Sequence, residues 1–331
     1  MLSVSHSSFP MLLLAFAFAA CVPQTESTTD EDEPGVTVVT DVVYARKHGM
    51  ALTFDLYRPE HPNGGAVLFV SSGGFVSGQA YQYERDGWGD YRYLEADQLH
   101  LVGDPTPIPL FEQFSFTPLL EAGLTVLDVR HGSSPMYQLP DIVEDLERAV
   151  EFVHRNAADL EIETDRIGVW GASSGGYLAL YLALAARSAD DDGPIPVGNS
   201  GISAAAVYYP AGFDLASDAE RFPEVIQSLP ALQIDRAILD SLSLKHHVRR
   251  AAPPTLIVYG TEDFPIITGP SEAVCAGLTA VGAECRLVAF PGTGHEFRGP
   301  EGYQSEYGRQ ALAEVVEWFE NWIGPGGEGP Y

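Results

Sequence analysis

The sequence predicts an α/β fold: a mostly parallel central sheet with helices on both faces and an inserted cap or lid region. Three observations predict it. Short apolar runs recur from Ala66 onward, and segments with apolar residues at helical spacing separate them. The runs are mostly apolar rather than alternating, which is the pattern of strands buried on both faces.

The elements follow in chain order. Val36 to Tyr44 (VTVVTDVVY) is β-branched, and Leu52 to Tyr57 (LTFDLY) alternates. With Gly49 between them, the two predict a hairpin. Ala66 to Val70 and Leu124 to Val129 predict strands. A helix is expected from about Asp141 to Asn156, because Ile142, Leu146, Ala149, Val150 and Val153 fall on one face. Then come a strand Arg166 to Trp170, a helix from Ser174, and strands Ala204 to Tyr209 and Thr255 to Tyr259. A helix near Ser271 to Val281, a strand Glu284 to Phe290 and a helix Ser305 to Ile323 complete the series. Two stretches fall outside this alternation, 79–115 with Tyr81, Tyr83, Trp88, Tyr91 and Tyr93, and 211–250. They are the expected lid and cap insertions, since variable loops on the ligand face form binding walls.

The N-terminus has a different character. Met11 to Ala20 (MLLLAFAFAA) is an unbroken apolar run, too short to span a bilayer but suited to the core of an export signal. It ends in small residues followed by Cys21, an arrangement that resembles a bacterial lipoprotein signal cleaved before the cysteine. The expected division is a signal peptide at 1–20, an acidic linker at 21–35 with no aromatic residue, and a catalytic domain at 36–331. The linker composition cannot bury enough apolar surface to order itself. Export follows, with Cys21 as the candidate lipid anchor on the periplasmic or outer face.

The chain carries 46 acidic and 18 basic side chains, a net charge of −28, and its only lysines are Lys47 and Lys245. That balance argues against nucleic acid, which is bound by clustered Lys and Arg, and against docking on anionic lipid through a basic patch. No clustered His/Cys set suggests a metal, and no glycine-rich phosphate loop suggests a nucleotide, so no cofactor is expected.

Ligands of such sheets bind at the carboxyl ends of the strands. There the Arg166–Trp170 strand runs into Gly171-Ala172-Ser173-Ser174-Gly175-Gly176. This Gly-x-Ser-x-Gly falls between a buried strand and an apolar helix, the context of a sharp turn that exposes a serine hydroxyl. A serine needs a base, and the base needs an orienting acid. Asp263 follows the Thr255–Tyr259 strand, and His295 follows Phe290 in a glycine-rich loop, so the order is Ser, Asp, His. Glu262 is the competing acid. The developing oxyanion requires main-chain donors. These are expected from Ser174 N–H and from Gly73 and Gly74 in the loop Ser71-Ser72-Gly73-Gly74-Phe75.

With these motifs in order, and Val-Arg-His-Gly-Ser-Ser-Pro at 129–135, the chain resembles α/β-hydrolase serine esterases. The nearest branch is that of the hormone-sensitive-lipase-like and bifunctional feruloyl and acetyl-xylan esterase-like enzymes. The resemblance covers nearly everything from Val36 to Ile323. It implies Ser173 as nucleophile, His295 as base and Asp263, rather than Glu262, as acid, with a small-molecule or carbohydrate ester as substrate. One departure stands out. The family usually has His-Gly-Gly-Gly in the oxyanion loop, and Ser71 and Ser72 replace the first two members, so the anchoring of that loop must differ. Two other readings share these motifs: a prolyl-oligopeptidase-type peptidase, and a surface lipoprotein that uses the fold only for binding. Cys275 and Cys285 fall on a helix and at the start of the next strand, and the sequence leaves open whether they form a disulfide or stay separate thiols.

Overall fold

The computed structural model describes residues 35–77, 83–86, 90–93, 113–185, 200–300 and 302–327. The expected signal segment, Cys21, nearly all of the acidic linker and most of 79–115 lie outside the described residues.

The chain enters through β1 (Val36–Lys47) and β2 (Met50–Pro59), then β3 (Ala66–Val70). Two short hairpins follow, β4 (Ser72–Gly73) with β5 (Val76–Ser77) and β6 (Tyr83–Asp86) with β7 (Asp90–Tyr93). Next come α1 (Thr117–Glu121), β8 (Thr125–Val129), α2 (Leu139–Arg155), α3 (Ala157–Leu160), β9 (Ile167–Ala172), α4 (Ser174–Leu184) and β10 (Ala204–Tyr208). Three short helices, α5 (Leu215–Arg221), α6 (Pro223–Gln227) and α7 (Arg236–Ser241), fill the region between β10 and β11 (Thr255–Gly260). The described chain closes with α8 (Pro265–Ala280), β12 (Cys285–Phe290) and α9 (Ser305–Ile323).

The main sheet has the order β1-β2-β8-β3-β9-β10-β11-β12. β1 and β2 pair antiparallel with each other, and β2 pairs antiparallel with β8; every pairing from β8 to β12 is parallel. The central strands β3, β8, β9, β10 and β11 are buried at every position, as their largely apolar runs require, and β8 buries Asp128 among its apolar residues. Helix α2 is amphipathic and buries Ile142, Leu146, Ala149, Val150 and Val153. Helix α4 is apolar all round and is buried at every position but Tyr181, so it lies within the core rather than upon it.

One expectation needs correction. Helix α8 starts at Pro265 rather than near Ser271. Pro265 occupies the first helical turn, where a missing N–H costs nothing, and the helix then carries Pro270 inside it. The expected start fell after Pro270 because an interior proline usually ends a helix. Here Pro270 is buried, and Ser271 Oγ bonds back to Ile267 O at 2.8 Å. The pairing that the sequence leaves open is made: Cys275 and Cys285 form a disulfide, their Cα atoms 5.5 Å apart. β12 turns back so closely after α8 that its first residue meets the helix face. With a sequence separation of 10 between the cysteines, the loop-closure model gives about 2–3 kcal/mol of stabilisation.

The loops at the carboxyl ends of β3 and β8 are bolted together. In the β4–β5 hairpin, Ser77 N–H donates to Ser133 Oγ at 2.9 Å, and His131 N–H donates to Ser77 Oγ at 2.8 Å. Behind them lies a buried ion pair. Lys47 Nζ is 3.0 Å from Asp145 Oδ1 of α2, and Asp145 Oδ2 accepts Gly132 N–H at 3.0 Å. Removing Lys47 would leave Asp145 buried without its counter-charge, which makes this pair costly to break. On the cap side, Tyr177 OH donates to Leu242 O at 2.8 Å and Gln138 Nε2 to Gln233 O at 3.3 Å, tying 211–250 to α4 and α2.

His131 sits inside this assembly, buried, with Nδ1 2.8 Å from Gly132 O. Burial pushes its pKa down to about 4, against the pull of the Gly132 carbonyl and with help from Lys47. An unfolded chain protonates this imidazole near pH 6.5. Between pH 6.5 and about 4 the unfolded state therefore binds more protons, and stability falls as pH falls through that window. His131→Gln removes the linkage. The drop in urea midpoint between pH 7 and pH 4.5 should be smaller in the variant than in the parent protein; an equal drop in both would show that His131 does not couple to folding.

Candidate active site

Strand β9 ends at Ala172, and Ser173 makes the turn into α4 with φ 54° and ψ −121°. Such a backbone costs on the order of 1–3 kcal/mol for a residue with a Cβ. It is held because its neighbours permit no other path. A Cβ on Gly171 would lie 2.4 Å from Gly175 O, and one on Gly175 would lie 2.4 Å from Val70 O. Only glycine at these positions lets the helix start this close to β3 and β9. Ser173 N–H donates to Tyr208 O at 3.0 Å, which fixes the turn to the next strand. The side chain that results is half-buried above the sheet, at the amino end of α4.

His295 meets it there. His295 Nε2 lies 3.1 Å from Ser173 Oγ, and His295 Nδ1 lies 3.1 and 3.0 Å from Asp263 Oδ1 and Oδ2. The Asp263 side chain is fully buried while His295 is 27% exposed. The acid is thus kept from water and the imidazole remains reachable. Asp263 Oδ1 also accepts the N–H of Phe264 at 2.7 Å. A carboxylate only accepts, so the proton of a neutral His295 belongs on Nδ1, and Nε2 presents its lone pair to the Ser173 hydroxyl. Glu262 next door is exposed, and its N–H donates to Thr293 O. Of the two neighbouring acids, the turn after β11 aims only Asp263 inward.

Two aromatic residues position the histidine, and sequence reasoning did not single them out. Tyr209 follows β10 with φ 37°, and its ring centroid is 4.6 Å from that of His295. Phe297 is fully buried against Tyr208, Tyr209 and Phe290, with φ 58°. Together they pin the turn that carries His295. Neither residue belongs to a motif, and their roles come from a three-dimensional stack that spacing does not encode.

Against the first residue of α4 stands the β4–β5 hairpin. Gly73 pairs with Val76, and the two turn residues, Gly74 and Phe75, have φ of 59° and 65°. A two-residue hairpin of this hand needs positive φ at both turn positions. Gly74 supplies it freely; Phe75 does so under strain. Ser174 N–H, in the first turn of α4, has no helical partner to donate to. The contacts of Ser174 Oγ with Phe75 N–H and Ser72 Oγ set this hairpin, with Gly73 and Gly74 in it, against the amino end of α4 beside Ser173.

Comparison with known proteins gives the same picture at the level of family and fold. The sequence profile of the BD-FAE family matches residues 110–276, half of the chain, a span that contains Ser173 and Asp263. The chain is 26% identical over 300 residues to the ethyl acetate hydrolase of Pseudomonas putida, covering 86% of this chain and 83% of that protein. It is 21% identical over 259 residues to a probable isoprenylcysteine alpha-carbonyl methylesterase of Arabidopsis thaliana, covering 73% of this chain and 48% of that one. The chain thus spans about half the length of the plant methylesterases it matches. In three dimensions it overlays on Thermogutta terrifontis esterase 2 phosphoramylated by tabun, with a TM-score of 0.61 and 21% identity over 86% of this chain and 94% of that one. That likeness concerns the fold, a mostly parallel sheet between helices. On the profile match and this architecture, the chain belongs to the BD-FAE family of α/β-hydrolases.

Proposed function

We propose that the protein is a serine hydrolase of carboxylic esters, working through Ser173, His295 and Asp263 and an acyl-enzyme intermediate. The observation that carries the reading is the continuous relay from Ser173 Oγ through His295 to Asp263, with contacts of 3.0–3.1 Å. In the first step His295 Nε2 takes the Ser173 proton as Oγ attacks the ester carbonyl. The imidazolium so formed is stabilised by Asp263 and returns the proton to the departing alcohol. Water then repeats the sequence on the acyl-serine. The negative charge on the carbonyl oxygen is met by the N–H of Ser174 and by those of Gly73 and Gly74, preorganised donors that need not move as the charge develops. The matched relatives named above are ester hydrolases, and the Thermogutta enzyme is recorded phosphorylated by paraoxon, which supports the same chemistry here. The substrate class is a small-molecule or carbohydrate ester.

The site assignment has a direct test on p-nitrophenyl acetate. Ser173→Ala should lose activity by a factor on the order of 10⁴ or more and lose labelling by a fluorophosphonate. Asp263→Asn should lower kcat by a factor on the order of 10³–10⁴, while Glu262→Gln, at an exposed position, should change it by less than about threefold. The reverse ranking of the two acids moves the role to Glu262. Hydrolysis of aminoacyl-prolyl amides in preference to esters makes the protein a peptidase instead.

We also infer export and a lipid anchor on Cys21, supported by the apolar run Met11 to Ala20 and the acidic linker behind it. Several acyl chains, at about 0.8 kcal/mol per buried methylene, suffice for stable anchoring. Cys21→Ser should move the protein from the membrane fraction of its native host to the aqueous fraction with kcat unchanged. A parent protein already wholly in the aqueous fraction contradicts the anchor.

A further inference from the structure

The departure from His-Gly-Gly-Gly in the hairpin has a counterpart on α4. Ser174 Oγ accepts the N–H of Phe75 at 3.0 Å and lies 3.1 Å from Ser72 Oγ. All three residues are buried, Ser72 completely. The carbonyl of Phe75 accepts Ser134 N–H at 3.0 Å, and its ring lies edge-on to Tyr177 of α4 at 6.1 Å. The one turn residue that adopts positive φ at a cost is therefore held by its N–H, its carbonyl and its ring, each by a different partner.

We propose that the hydroxyl of Ser174, braced by Ser72, is a positioning residue for the oxyanion site. It locks the β4–β5 hairpin to the amino end of α4 and so fixes the distance between the two sets of main-chain donors. The proposal rests on the esterase reading above. Its logic is one of hydrogen-bond accounting. The Phe75 N–H is committed to Ser174 Oγ and is not offered to an oxyanion; of the two expected glycine donors, Gly73 is paired with Val76 across the hairpin and Gly74 lies in the turn. Without Ser174 Oγ, the Phe75 N–H becomes a buried donor with no acceptor, and a strained turn loses one of its three holds. The hairpin then has reason to relax, carrying Gly73 and Gly74 away from Ser174 N–H. Ser72 touches neither Phe75 N–H nor substrate in this scheme. It acts through Ser174, by hydrogen bonding to the hydroxyl that holds the turn.

The experiment uses Ser174→Ala, Ser72→Ala and the double variant, each with its melting temperature measured. Removing a whole oxyanion donor costs about 10²–10³ in kcat, and displacing one should cost less. Ser174→Ala should lower kcat about 10- to 100-fold with KM changed less than about threefold. Affinity for a trifluoromethyl ketone, which forms a tetrahedral oxyanion on the serine, should fall in parallel with kcat. Affinity for the carboxylic acid product should stay. Ser72→Ala should show a smaller loss, and the double variant should be no worse than Ser174→Ala alone, because the two hydroxyls act as one unit. Additive losses, a kcat for Ser174→Ala within twofold of the parent, or unchanged ketone affinity despite a lower kcat would each overturn the proposal. Failure of the esterase reading looks different: the parent protein itself would take up a fluorophosphonate at a residue other than Ser173, or not at all.

Discussion

The backbone of Ser173 sits at φ 54° and ψ −121°, a conformation that no isolated serine would keep. A β-strand ends there and a buried helix starts within one residue, so the main chain must reverse its character where the reactive hydroxyl is displayed. The surrounding structure is arranged around that constraint. Glycines at 171 and 175 remove the atoms that would collide with Gly175 O and Val70 O. The Tyr208 carbonyl holds the Ser173 N–H, and α4 is buried on nearly every side. Strain at one residue is affordable only because a large apolar core would be disrupted by relaxing it.

From that turn the site extends in two directions with different physics. Toward β11 and β12 it is electrostatic. A carboxylate without solvent access, Asp263, holds an imidazole that is partly exposed. The disulfide between α8 and β12 ties together the two elements that follow and precede this pair. Toward β3 and β8 it is a scaffold of hydrogen bonds. A strained two-residue hairpin is held by Ser174, Ser134 and Ser133, and these rest on the buried Lys47–Asp145 pair at the foot of α2. The hairpin side holds its main-chain donors in place before any charge appears, which is where electrostatic preorganisation is most effective.

Much of this was legible in the sequence because the central strands are buried on both faces and read as short, mostly apolar runs. The same holds for Ser173, whose glycine-flanked motif falls between a strand and a helix. The order of Asp263 and His295 after later strands could also be read, since it needs only element order. The choice between Asp263 and Glu262 could not be made from composition, because adjacent residues in a turn point in different directions. The start of α8 was misplaced because Pro270 looks like a helix boundary and is instead accommodated within the helix. The disulfide depended on how tightly β12 returns along α8. Ser71 and Ser72 announced that the hairpin must be anchored differently, but the partner, Ser174, lies a hundred residues away, and no periodicity links the two. Tyr209 and Phe297 carried no signal, as each is one aromatic residue among many.

The central claim is that an oxyanion forms on Ser173 between the first turn of α4 and the β4–β5 hairpin. A crystal structure of the protein covalently modified by a phosphonate tests it most directly, since the phosphonyl oxygen stands in for the carbonyl oxygen of the tetrahedral intermediate. Phosphorus should be bonded to Ser173 Oγ, with that oxygen about 2.7–3.1 Å from the N–H of Ser174 and from that of Gly73 or Gly74, while Phe75 N–H stays on Ser174 Oγ. An adduct on another residue, or a phosphonyl oxygen turned to solvent or held by Phe75 N–H, contradicts it.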